Sequence, residues 1–239
     1  MDFVKFDRIA VVLVGHYRTF SRLNDQYIWF FKNLANKVDY YMYVWDDPLT
    51  LTLRDISPYL GNYLKKCEIV NTNDCRSDNK IYRLSYLAAK AQKAKLKVEQ
   101  DENFVYDYVV ETRPDLRLRH QNDFSKHFVG LQDNEIIVEG ADWLGSYDRW
   151  KEVDRKWVPS DGADTFFTTN WYFRMTSNTY NQFADRQDFY KDFKYTDFHK
   201  DLCPYFISNP QFVFSKHNDV IEGAIAVSEK DVLENNHRR

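Results

Sequence analysis

Glycine and proline are scarce, at 7 and 6 of 239 residues, and cysteine is scarcer still at 3. With 17% aromatic residues, that scarcity excludes collagen-like, linker-like and disordered chains. It also removes whole enzyme classes. The first apolar run is followed by GHYRTF, which holds one glycine, so there is no glycine-rich dinucleotide fingerprint, and no phosphate loop ending in Gly-Lys-Ser/Thr occurs anywhere. The nucleophile elbow of α/β hydrolases is missing, and the six histidines lie too far apart for a helical zinc pair. Cys67, Cys75 and Cys203 match neither a disulfide framework nor a paired zinc spacing, which points to a reducing compartment. The longest early apolar run, Ile9 to Val14, is too short for a signal-peptide core or a membrane span. A soluble, cytoplasmic protein with no membrane span is expected. Charge of one sign is absent too: Lys and Arg are dispersed among Asp and Glu at a net charge of -3, so nucleic acid is not an expected partner.

What the chain has is apolar mass, 44% of its residues, with 18 Phe, 17 Tyr and 6 Trp. That suffices for one sizeable core, and a single domain over 1–239 is expected. Ile9 to Val14 (IAVVLV) reads as a buried parallel strand, and Gly15 permits a tight exit. Ser21 can cap a helix carrying Leu23, Tyr27, Phe30, Phe31 and Leu34 to about Asn36. Val38 to Trp45 is a second strand, and short helical turns fall between Leu49 and Leu64. Cys67 to Val70 is a third strand, and a long helix runs from Asp78 or Asn79 to about Gln100. That helix has an apolar face of Leu84, Leu87, Ala88, Ala91, Ala94 and Val98, with its lysines read as a solvated face. Later elements are strands at Glu135 to Val138, Thr165 to Arg174 and Gln211 to Phe214, a helix capped by Ser177, and a helix through Val220 to Val227. Between Ala141 and Trp171 the pattern breaks into an irregular, aromatic-rich excursion. Four alternations of strand and helix in the first half predict an open, mostly parallel α/β sheet flanked by helices.

The fourth strand organises the rest. Phe104 to Val110 is nearly continuous apolar sequence, and VVETRPDLRLR then separates Val110, Thr112, Pro114, Leu116 and Leu118 from Glu111, Arg113, Asp115, Arg117 and Arg119. Pro114 cannot join a sheet ladder, so the strand ends near Thr112 and Arg113 to Arg117 form its carboxyl-end loop. Ligands of open α/β sheets bind at that end. Polar residues gather at the same end of other strands: Gly15 to Arg18, Trp45 to Asp47, and, after the excursion, Asp161 to Asp164. Guanidinium groups there suit phosphates, and carboxylates suit a hard divalent cation or proton abstraction.

Four stretches, IAVVLVGHYRTF, DYYMYVWDD, YDYVVETRPDLRLR and DGADTFFTTNWYFRM, resemble in order and spacing the small GT-A-type glycosyltransferases of bacterial and large-virus polysaccharide synthesis. The resemblance implies a GT-A-like, Rossmann-type sheet, a nucleotide-sugar donor and a glycan or other hydroxyl-bearing acceptor. Residues 1–120 would form the donor half and 121–239 the acceptor half. It implies Gly15 and Arg18 at the donor, with Trp45 and Asp46 beside them, Arg113 aiding the leaving group, and Asp164 or Asp161 taking the acceptor proton. A divalent cation, Mn²⁺ or Mg²⁺, would sit on Asp115, with His217 as a further ligand. One departure stands out. Such enzymes commonly place two aspartates one residue apart, whereas Asp115 is followed by Leu116 and then Arg117. Two other classes fit the same residues: a non-catalytic carbohydrate- or protein-interaction domain, and a metal-dependent nuclease or nucleotidyltransferase using Glu111 with Asp115.

Overall fold

Strand β1 (Phe6–Gly15) is the middle of the molecule because its side chains are apolar on both parities. Ala10, Val12 and Val14 enter one core cluster, while Ile9, Val11 and Leu13 enter another on the opposite face, all fully buried. Each such Val, Leu or Ile side chain contributes about 1.5–3 kcal/mol relative to exposure, so β1 anchors both layers. The computed structural model describes residues 5–17, 20–46, 59–75, 77, 79–118, 131–139, 143–144, 150–153, 156–159, 166–167, 172–191, 209, 211–217 and 221–224.

Helix α1 (Phe20–Leu34) covers one face through Leu23, Tyr27, Phe30, Phe31 and Leu34. Strand β2 (Ala35–Trp45) begins immediately after it, three residues earlier than the apolar run suggested, and pairs parallel to β1. A 3-10 turn at Gly61–Tyr63 leads into β3 (Leu64–Val70). Helix α2 (Lys80–Glu102) covers the other face. Its cap is Asn79, whose side-chain oxygen accepts from the backbone N–H of Ile81 at 2.9 Å and Tyr82 at 3.1 Å. Asn103, at φ 51°, closes it in the left-handed conformation that asparagine tolerates.

Strand β4 (Tyr108–Thr112) returns to the other side of β1 and is followed by β5 (Leu116–Leu118). Then come β6 (Glu135–Glu139), β7 (Trp143–Leu144), β8 (Trp150–Val153), β9 (Lys156–Pro159), β10 (Phe166–Phe167) and β11 (Tyr172–Thr176). The chain continues through α3 (Ser177–Phe183), a 3-10 turn at Ala184–Arg186, α4 (Gln187–Tyr190), β12 (Val213–His217) and β13 (Ile221–Ala224). The main sheet has the order β12-β6-β11-β4-β1-β2-β3. Every strand in it runs one way except β11, which is antiparallel to both neighbours. This is the open, mostly parallel sheet expected. No helix among the described residues is long and apolar enough to cross a membrane.

Several expectations are corrected. The stretch Thr165 to Arg174 is divided, since Phe166–Phe167 pairs with β7 while Tyr172–Thr176 joins the main sheet. The excursion contains regular structure, an antiparallel β8–β9 pair. The helix expected through Val220 is replaced by β13, whose backbone finds an open partner in β5; tertiary pairing overrides helical spacing. Thr176, not Ser177, caps α3, accepting from Thr179 N–H at 3.2 Å. Ser177 is instead committed to a buried network. In it Lys95, the one lysine of its neighbourhood that is not solvated, donates to Glu99 at 2.8 Å and Ser177 at 2.5 Å. Burial pushes the Lys95 ammonium below its usual range, with Glu99 opposing that shift.

Candidate functional site

The sheet reverses its order between β1 and β4: the chain steps outward from β1 through β2 to β3, then crosses to the far side for β4. Carboxyl-end loops on either side of such a switch diverge and leave a crevice. Gly15 ends β1 there with φ +128°, a conformation that favours glycine. A methyl on Gly15 would stand 3.9 Å from Pro114 Cδ and 3.4 Å from Leu84 Cδ2. The exits of β1 and β4 are therefore in near contact.

Immediately after β4, Arg113 turns its fork onto Asp115. Nε donates to Oδ1 at 2.8 Å and Nη2 to Oδ2 at 2.5 Å, so both carboxylate oxygens are engaged. Asp115 is nearly buried, whereas the Arg113 side chain is 26% exposed. Helix α1 holds this loop at both ends. The Tyr27 hydroxyl donates to the Arg113 carbonyl at 2.8 Å. Burial, with the Asp115 charge adding to it, pushes the Tyr27 phenol well above its ordinary value, so it remains a donor. Gln26 accepts from Leu118 N–H at 3.1 Å and returns its own amide N–H to the Leu118 carbonyl, imitating a strand partner for β5. On β5's other edge Ala224 pairs with Leu116, so the chain a few residues beyond His217 meets the residue after Asp115.

The other expected residues fall as follows. Trp45 ends β2 on the same edge, but its indole is buried, stacked on Tyr86 at 6.2 Å with the Arg83 guanidinium 4.8 Å from its ring. Asp46 is exposed and ties the exit of β2 to that of β3, accepting from Thr72 N–H at 2.7 Å. His217 ends β12 in register with Glu139, again at the carboxyl edge. Three strand spacings, roughly 14 Å, separate β12 from β4. Arg18, Asp161 and Asp164 lie outside the described residues. Sequence reasoning missed the clamp: Tyr27 reads as one more apolar position of α1, and nothing marks Gln26. It also misplaced Glu111, which is fully buried against Arg186, so it is not a second acid for a metal beside Asp115.

A divalent cation does not fit the end of β4 as these residues stand. Both Asp115 oxygens are held by a guanidinium, and Arg117 occupies the place of a second aspartate. Among the described residues no three His, Cys, Asp or Glu side chains gather to hold a metal.

No protein-family model matches this chain, and no curated protein matches it significantly. Solved structures do. The 4-diphosphocytidyl-2C-methyl-D-erythritol synthase of Anaerococcus prevotii aligns over 98% of both chains with TM-score 0.53 and 12% identity. A putative glucose-1-phosphate thymidylyltransferase of Bacillus anthracis covers 97% of this chain and 94% of its own at TM-score 0.47 and 7% identity. A glycosyltransferase involved in glycosylation of the PBCV-1 major capsid covers 89% and 82% at TM-score 0.45 and 9% identity. At such identity the likeness of the synthase shows the fold alone, a Rossmann-like open α/β sheet of the kind the GT-A resemblance implied.

Proposed function

We propose that this chain is a glycosyltransferase moving a sugar from a nucleotide-diphosphate donor to a hydroxyl of a glycan or similar acceptor. The observation that carries the reading is the Arg113 guanidinium, held by Asp115 at the switch point of the sheet, in the β4 exit whose Pro114 packs near the end of β1 at Gly15. Negative charge grows on the departing diphosphate as the acceptor hydroxyl attacks, and a positive group fixed in advance at that place lowers the barrier. Gly15, Arg18 and Asp46 at the β2 exit would line the donor side, with Trp45 beneath them in the core, and Asp164 or Asp161 would take the acceptor proton. A triphosphate donor is the poorer match, because GHYRTF offers one glycine rather than a cradle of backbone amides. The nuclease or nucleotidyltransferase reading loses its second acid with Glu111 in the core.

Incubation with a panel of UDP- and GDP-sugars, with and without Mn²⁺, tests this. Slow release of nucleoside diphosphate without acceptor is the expected result. Binding of a nucleotide sugar with no release under any condition would overturn the assignment in favour of a non-catalytic carbohydrate-interaction domain.

A further inference from the structure

GT-A-type sites are expected to neutralise the leaving diphosphate with a divalent cation, yet the end of β4 is built from two arginines and one carboxylate, Arg113, Arg117 and Asp115. Both oxygens of that carboxylate are already held by Arg113, which leaves it a poor ligand for a dication. The Arg113–Asp115 pair uses two of the five guanidinium N–H groups, Nε–H and one on Nη2. The others lie on the edge away from the carboxylate, on a side chain that is partly exposed. We propose that Arg113 takes the place of the cation: Asp115 aligns the guanidinium, its outer edge binds the diphosphate, and transfer proceeds without a divalent metal.

The inference rests on the glycosyltransferase reading and deepens it. In the transfer, the acceptor oxygen bonds to the anomeric carbon as the bond from that carbon to the β-phosphate oxygen breaks. The electron pair leaves with the diphosphate, whose added charge meets Arg113, and the hydroxyl proton passes to a carboxylate, the part proposed for Asp164 or Asp161. Asp115 is then a positioning residue. Fork geometry matters as well as charge, since a lysine ammonium cannot hold a carboxylate and a phosphate side by side in one plane.

The test is calorimetric titration of UDP and GDP into wild-type protein, Arg113→Gln and Arg113→Lys, in EDTA and in Mn²⁺, with nucleotide-sugar turnover measured alongside. Wild type is expected to bind and turn over in EDTA within about threefold of its behaviour in Mn²⁺. Arg113→Gln should weaken nucleotide binding about tenfold or more, the loss of one charge-assisted hydrogen bond, with Arg113→Lys between the two. Circular dichroism checks the fold of each variant, and the wild-type comparison decides the matter should either variant fail to fold. Binding and turnover that require Mn²⁺ would overturn the inference and leave the glycosyltransferase reading standing. Failure of every nucleotide and nucleotide sugar to bind in either buffer would overturn that reading, and the inference with it.

Discussion

Glu111 and Asp115 stand on the same parity of the central strand and its exit, and each meets an arginine, but the two pairs lie in different surroundings. Glu111 and Arg186 are fully buried, with Arg186 also donating to the Phe183 carbonyl at 3.1 Å and lying 4.0 Å from the centroid of the Phe183 ring. Asp115 and Arg113 sit at the carboxyl edge, with part of the guanidinium in solvent. The first pair joins β4 to the turn after α3 and is closed to any ligand. The second is held as firmly by hydrogen bonds yet presents an open edge. Each is a carboxylate met by an arginine; depth in the fold separates a fold-holding pair from a site-building one.

The largest expected effect comes from breaking the buried pair. Arg186→Met removes the guanidinium that meets Glu111 in the core, and breaking such a buried pair costs about 3–5 kcal/mol. Urea denaturation should show it, and combining it with Glu111→Leu should recover most of the loss. Gly15→Ala comes next: forcing an alanine to φ +128° costs about 1–3 kcal/mol and disturbs the exit of β1 beside Pro114. Its melting temperature should fall and donor binding should weaken. Gln26→Leu is milder, because it removes two hydrogen bonds to the Leu118 backbone, worth roughly 1–2 kcal/mol. Donor turnover is expected to fall further than that stability loss alone explains, since β5 leads directly from Asp115.

The first half of the fold was legible because its strands are continuous apolar runs and its helices carry clear caps and faces, as at Ile9–Val14 and Asn79. Beyond β5 local pattern gave less. Whether residues near Val220 form a helix or β13 depends on the open edge of β5, a partner about a hundred residues away. Lys95 falls at helical spacing between Ala91 and Val98, on the apolar face, but as a lysine it reads with the solvated ones, and its contacts with Glu99 and Ser177 show that it is buried. At the candidate site the sequence indicated Gly15, Arg113 and Asp115 through strand exits and the position of Pro114. It put Arg113 on the same side as Asp115 but left that carboxylate open to a cation, and it was silent on the bidentate fork and on Gln26, because both are made by side chains reaching across a turn or between elements.

Asp115→Asn separates the two kinds of pair most directly, with stability in urea and nucleotide-sugar turnover measured on one preparation. Asparagine keeps the size and one acceptor oxygen but removes the charge that aligns Arg113. The expected result is a folded protein within roughly 1 kcal/mol of wild type whose turnover falls by about tenfold to a hundredfold. A loss of stability matching that of Arg186→Met, or near-normal turnover in a folded variant, would contradict the assignment of this pair to the site.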